Sequence, residues 1–227
     1  MKSSFRVLDP PITVTASGTI SWVAKSGNQQ VFKLELRVDF SDLQRNMTGL
    51  LRSQLDRSDH CGERVAIQET TLAPLAPASL LTVQLHYERW GCAKAFGRQI
   101  VTRLVAGNGT VQVKLTPSVD NGSAVRLEPE VTDIRADQSL GELLRSGSIG
   151  AMLRQKIAES LVAAIQKGAN LNATLPPAVQ GLAAIRSARF RDAGAGRLAA
   201  VLEGEIRLSA EQLKSLVAQL KARQAPE

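Results

Sequence analysis

Apolar and polar residues alternate over much of this chain. Residues 31–40 are the strictest case. Phe32, Leu34, Leu36, Val38 and Phe40 fall on one face, and Lys33, Glu35, Arg37 and Asp39 on the other. That is the period-two pattern of a strand with one wet side. Residues 12–22 alternate as well, with Ile12, Val14 and Ala16 against Thr13, Thr15 and Ser17. Gly27-Asn28 marks the turn between these strands. At Ser41 the period changes. Leu43, Met47, Leu50, Leu51 and Leu55 recur at helical spacing and predict a short early helix.

Further strands follow. Val65, Ile67, Glu69 and Thr71 lie on one hairpin leg and Leu81, Val83, Leu85 and Tyr87 on the other, with the turn around Pro74-Leu75-Ala76-Pro77. Proline presets such a turn and ends a leg. Residues 100–105 lead to Asn108-Gly109, a strong two-residue turn signal, and on to Val111, Val113 and Leu115. Asn121-Gly122 predicts another turn before Val125, Leu127 and Val131. Between residues 139 and 167, Leu140, Leu144, Ile149, Met152, Leu153, Ile157, Leu161 and Ile165 form a long apolar stripe. A helix of that length would reach about 45 Å, with Gly147 as a kink and Leu175-Pro176-Pro177 as a stop. A last hairpin joins residues 185–191 to 197–208 through Asp192-Ala193-Gly194-Ala195-Gly196, and Ser209 with Gln212 caps a C-terminal helix. The expected fold class is therefore α+β. One antiparallel sheet curves around the helix at 139–167, with a short early helix and a C-terminal one, in a single domain over residues 1–227.

Composition narrows the function classes. The chain has 227 residues, 44% of them hydrophobic but only 4% aromatic, so the core is aliphatic. No apolar run approaches the roughly 20 residues that span a bilayer. The first residues, Met1-Lys2-Ser3-Ser4-Phe5-Arg6, lack the apolar stretch of a signal peptide. The protein is then either cytosolic or a mature form without its signal. A net charge of +7 favours anionic partners, whether nucleic acid or lipid headgroups.

Cys61 and Cys92 are the two cysteines. A hairpin centred between Ala76 and Pro77 sets them opposite one another, within disulfide reach. Such a bridge implies an oxidising compartment, the periplasm or the exterior. Chemistry-bearing patterns are scarce. His60 beside Cys61 has no second ligand cluster for a metal, and His86 falls on a strand leg. Gly194-Ala195-Gly196 lacks the context of a phosphate loop, and no serine sits in a nucleophile elbow. Glu203 and Glu205 alternate as a solvated strand face. Neither an enzyme, nor a metal or cofactor, nor sequence-specific nucleic-acid binding is expected. Basic charge is densest at Arg186, Arg189, Arg191 and Arg197, which are candidates for anionic headgroups.

Three segments carry a resemblance to a known family. They are Val38-Asp39-Phe40-Ser41-Asp42-Leu43, its echo Ile206-Arg207-Leu208-Ser209, and Leu175-Pro176-Pro177 after the long apolar stripe. The layout resembles the tubular lipid-binding superfamily, which includes the bactericidal/permeability-increasing protein and bacterial envelope relatives. The well-known members carry two such domains, whereas this chain has room for one. The resemblance implies a curved sheet around a long helix, enclosing an apolar tube for acyl chains. The apolar wall candidates are Met152, Leu153, Ile157, Leu161 and Ile165 on the helix, and Leu34, Leu36, Val38, Leu198 and Leu202 on the sheet. The expected function is non-enzymatic binding or transport of a lipid or other apolar ligand in the bacterial envelope, with possible membrane-surface contact. The alternative is a periplasmic scaffold or adaptor without ligand, because the same residues would also pack a solid core.

Overall fold

Two strands far apart in sequence meet at the centre of the molecule. In a computed structural model, which describes residues 2–7, 12–58, 61–95, 98–120, 125–145, 151, 155, 183–211 and 213, strand β3 (Gln29–Asp39) pairs antiparallel with β10 (Leu198–Ser209). The apolar row of the one is continued by that of the other: Leu36 stands opposite Leu202, Val38 opposite Ala200 and Phe32 opposite Ile206. Strands β1 (Lys2–Val7) and β2 (Ile12–Ser26) extend this sheet beyond β3, and β9 (Ala183–Asp192) extends it beyond β10.

The second sheet runs in the order β4 (Arg57–Ser58), β5 (Gly62–Leu75), β6 (Ala78–Ala95), β7 (Arg98–Val119) and β8 (Val125–Ala136). Its apolar face carries Ile67, Leu72, Leu81, Val83, Leu85, Val111, Val113 and Leu115, all buried. They join Leu34, Leu36, Val38, Leu202 and Ile206 of the first sheet in one hydrophobic cluster. Burying each such side chain contributes about 1.5–3 kcal/mol. Phe40 and Phe190 meet edge to face at 6.1 Å, and the Phe190 amide donates to the Pro77 carbonyl at 2.7 Å, so edge strand β9 is bonded to the β5–β6 turn.

Helix α1 (Ser41–Leu55) begins one residue after Phe40, where the Asp39 carboxylate accepts from the Ser41 amide at 2.7 Å. It buries Met47, Leu50, Leu51 and Leu55, the stripe its spacing predicts. Its polar side chains serve the edge of β5. Arg52 donates to the carbonyls of Ile67 and Gln68, Thr48 accepts from the Thr70 amide, and Gln44 donates to the Leu72 carbonyl. β4 pairs with only Arg64 and Val65 of β5, so α1 satisfies backbone groups that would otherwise form an open edge.

The expected sheet around a long helix is overturned. Strands hold 74% of the described residues, in two antiparallel sheets, and no long helix lies among those residues. Helix α2 (Gln138–Arg145) spans 8 residues. The physical reason is that the apolar faces of the two sheets share one cluster, so strand covers strand. Residues Met152, Leu153, Ile157, Leu161 and Ile165, and the stop at 175–177, lie outside the described residues. Of the C-terminal helix, residues 210, 211 and 213 are helical and the rest lies outside them too.

A second correction concerns Asn108-Gly109, which is no turn. β7 runs straight through it, with Asn108 opposite His86 and Gly109 opposite both Leu85 and Ala136. Both neighbouring strands claim this backbone. The Asp137 carboxylate accepts from the Asn108 amide at 2.8 Å, and α2 sets Leu140 over the adjoining glycines. The Asn121-Gly122 turn lies outside the described residues.

Candidate apolar site and charged surfaces

The sheet-side wall candidates come together. Leu34, Leu36, Val38, Leu198 and Leu202 are each 1–5% exposed and belong to the shared cluster. The inner row of the first sheet does not end there. On β2, Gly18 stands opposite Leu36, Ile20 opposite Leu34 and Trp22 opposite Phe32, so Ile20 and Trp22 continue the inner face towards the β2–β3 turn. They are 43% and 62% exposed. The Trp22 indole donates to Gln30 at 2.9 Å, which orients the ring at the end of this row. An apolar face thus passes from buried to open along one sheet.

Polar groups are few in the interior. Among the described residues, Thr70 and Ser79 are the buried polar side chains, and Tyr87 is 1% exposed. Thr70 is paired with Thr48 at 3.0 Å. The Ser79 hydroxyl finds no hydrogen-bond partner among the described residues, and the Tyr87 hydroxyl lies beside the Glu63 carboxylate. Burial, and then the Glu63 carboxylate, push the Tyr87 hydroxyl up to about 12.

The arginines singled out for headgroups do not form one open patch. Arg189 is held by Glu203 at 2.7 Å, and Arg186 lies 3.9 Å from Glu205. Arg197 donates to the carbonyls of Gly194 and Ala193 within its own turn. Arg191 is exposed. Register explains this, because β10 sets Glu203 opposite Ser187 and beside Arg189. The Arg189 guanidinium holds the Glu203 carboxyl below its ordinary value.

A further cluster was not expected. On the outer face of the second sheet, Glu88 of β6 stands opposite Arg64 of β5 and takes ion pairs from Arg64 at 3.8 Å and Arg103 of β7 at 3.5 Å. It accepts from the Trp90 indole at 2.8 Å, and His86 lies 3.5 Å away. The Arg64 guanidinium sits 4.5 Å over the Trp90 ring. The Trp90 donor first, then His86 and Arg103, hold the Glu88 carboxyl below its usual value. His86 also shares a hydrogen bond with Asn108 at 2.9 Å. Nothing in the spacing of residues 64, 88 and 103 foretells the cluster, since only strand register assembles it. His60 lies outside the described residues.

Cys61 and Cys92 are joined in a disulfide, with Cα atoms 5.7 Å apart. The route differs from the expected one. A bulge at Gln68 shifts the β5–β6 register by one, so Gly62 faces Trp90 where an unbroken hairpin would set Glu63, and Cys61 is no longer directly in register with Cys92. Cys61 lies just outside β5 and reaches Cys92 from there. The bridge is compatible with a non-cytoplasmic location. No helix among the described residues is long and apolar enough to cross a membrane. Neither protein-family models nor curated proteins match the chain.

Proposed function

We propose that this protein binds a lipid or similar apolar molecule without catalysing a reaction, in an oxidising envelope compartment such as the periplasm. The observation that carries this reading is the inner row of the first sheet, which runs from buried Leu36 and Leu34 to exposed Ile20 and Trp22. Exposed apolar rows continuous with a core are unfavourable in water unless something covers them. An acyl chain suits such a surface, because it needs apolar area and few hydrogen bonds. The disulfide supports the compartment.

The scaffold or adaptor reading also has an observation in its favour. The five sheet-side wall candidates are packed by their own neighbours. Native mass spectrometry and lipid extraction of freshly purified protein separate the two. A co-purifying acyl species, and uptake of a fluorescent fatty acid that falls at least tenfold in Ile20→Asp with an unchanged melting temperature, are the expected results. Absence of both a co-purifying lipid and uptake by the wild type would defeat the carrier and leave the adaptor.

A further inference from the structure

Strands β6 and β7 outrun their sheet. β5 stops at Gly62, opposite Trp90, and β8 reaches β7 only from Gly109 onward. Residues 91–95 and 98–102 therefore pair with each other alone among the described residues, as a two-stranded arm. A free two-stranded ribbon is marginal in water. This one is tied at its base by the bridge from Cys92 to Cys61.

It carries a second group of exposed apolar side chains, apart from the one on β2. Ile100, Val101 and Leu104 are 50%, 42% and 63% exposed. Ile100 stands opposite Ala93 and Val101 opposite Cys92, so successive residues put apolar groups on both faces of the arm. Leu104 is the extra residue of a bulge and lies over Gly91. The charge is one-sided as well. No aspartate or glutamate occurs between Glu88 and Asp120, whereas Lys94, Arg98 and Arg103 fall in or beside the arm; Arg89 stands opposite Glu63, and Lys114, far along β7, pairs with Glu130. Lys94 is exposed, and at the base Arg64, Arg103 and His86 share the single carboxylate of Glu88. Trp90 sits at that base, half-buried beneath Arg64.

We infer that this arm is a contact surface for an anionic membrane, with Ile100, Val101 and Leu104 entering the headgroup layer and the cations meeting lipid phosphates. Exposed Ile100 and Val101 lie between Lys94 nearer the arm's end and Arg103, Leu104 and Trp90 at its base, and such a mix of aliphatic, basic and tryptophan side chains suits a bilayer interface. Nucleic acid rewards stacked aromatics and cations but not aliphatic side chains, and Ile100, Val101 and Leu104 are the large apolar groups this arm exposes. The inference stands whether or not the inner faces carry a ligand.

The test uses the full chain with its disulfide intact, in co-sedimentation with vesicles. One set contains equal parts phosphatidylglycerol and phosphatidylcholine, the other phosphatidylcholine alone. Binding to the anionic set, weakened by salt, and little binding to the neutral set are expected. The Ile100→Asp/Leu104→Asp variant should bind at least about tenfold more weakly, since two apolar anchors are lost. Lys94→Glu should lose about fivefold or more per unit of charge. Both should keep the wild-type circular dichroism and melting temperature, because all three side chains are exposed. Anionic binding that survives the double substitution, or that an oligonucleotide matches in strength, would overturn the proposal. So would a dimer that the double substitution dissolves with no vesicle binding in the wild type. Fatty-acid uptake should be unchanged in Lys94→Glu, so failure here is distinct from failure of the carrier reading.

Discussion

Gly107 shows how one missing side chain positions an element. A Cβ built there would lie 2.4 Å from Asp137 Oδ1 and 2.7 Å from Leu140 Cβ, at the start of α2. Gly107→Ala should therefore push α2 off β7 and cost about 1–3 kcal/mol in urea denaturation. Gly49 is the control. It lies within α1, and a Cβ there meets nothing within 4 Å. Gly49→Ala should stabilise by about 0.5–1 kcal/mol, because alanine loses less backbone entropy in a helix. A neutral Gly107→Ala would show that α2 is not held by this contact. Glu88 permits a prediction with pH. Its folded pKa lies below the ordinary 4.5, first because of the Trp90 donor. A depressed carboxylate adds stability above its unfolded pKa and loses it as pH falls through the folded one. Trp90 fluorescence, recorded in Trp22→Phe to isolate it, should change with a midpoint below 4.5; a midpoint at or above that value would mean the indole does not stabilise the anion.

Helix α1 and strand β5 act as a unit because side chains replace a missing strand. Gln44 binds three backbone groups, the carbonyls of Leu72 and Gly196 and the amide of Leu198, at 2.7, 3.0 and 2.8 Å. It thereby links α1, β5 and the β9–β10 turn. Arg52 covers the carbonyls of Ile67 and Gln68 further along. Arg52→Ala should cost about 1–3 kcal/mol, since the part-buried Ile67 carbonyl and the exposed Gln68 carbonyl both lose a charged donor. Hydrogen exchange should quicken in β5 and leave β10 as before; equal quickening in both would place the loss elsewhere. The disulfide constrains the same strand from its other end. It closes a separation of 31 residues, for which chain entropy predicts about 3–4 kcal/mol of stabilisation. Cys61→Ser/Cys92→Ser should lower the urea midpoint accordingly, and an unchanged midpoint would mean the reduced chain is already held together there.

The two sheets stand or fall together, because one apolar cluster draws on both. Unfolding followed by circular dichroism and by the fluorescence of Trp22 and Trp90, one on each sheet, should give coincident transitions. Two separated transitions would show that each sheet has a core of its own. The central β3–β10 pair gives this arrangement a local two-fold character. The two strands lie antiparallel, each followed by a serine and helical residues, at Ser41 and from residue 210. The echo between Val38-Asp39-Phe40-Ser41 and Ile206-Arg207-Leu208-Ser209 thus falls at opposite ends of the pair, with Val38 opposite Ala200 and Ile206 opposite Phe32.

Local chemistry sufficed for much of this. Alternation at 31–40, helical spacing at 43–55, proline at the β5–β6 turn and glycines at 194 and 196 each act between residues two to four apart. The elements they specify appear as read. The disulfide partners were legible because only two cysteines exist and a hairpin joins them, although a bulge altered the register beneath them. What the chain alone could not disclose depends on neighbours distant in sequence. Asn108-Gly109 satisfies every local rule for a turn, yet two flanking strands and Asp137 take its hydrogen bonds and keep it extended. The Glu88 cluster spans three strands, and the pairing of Arg189 with Glu203 crosses two. The apolar strand faces could have covered a helix or one another, and hydrophobicity has no direction that chooses between these covers. That choice belongs to the tertiary structure, where burial of both sheets in one cluster removes the most apolar surface from water.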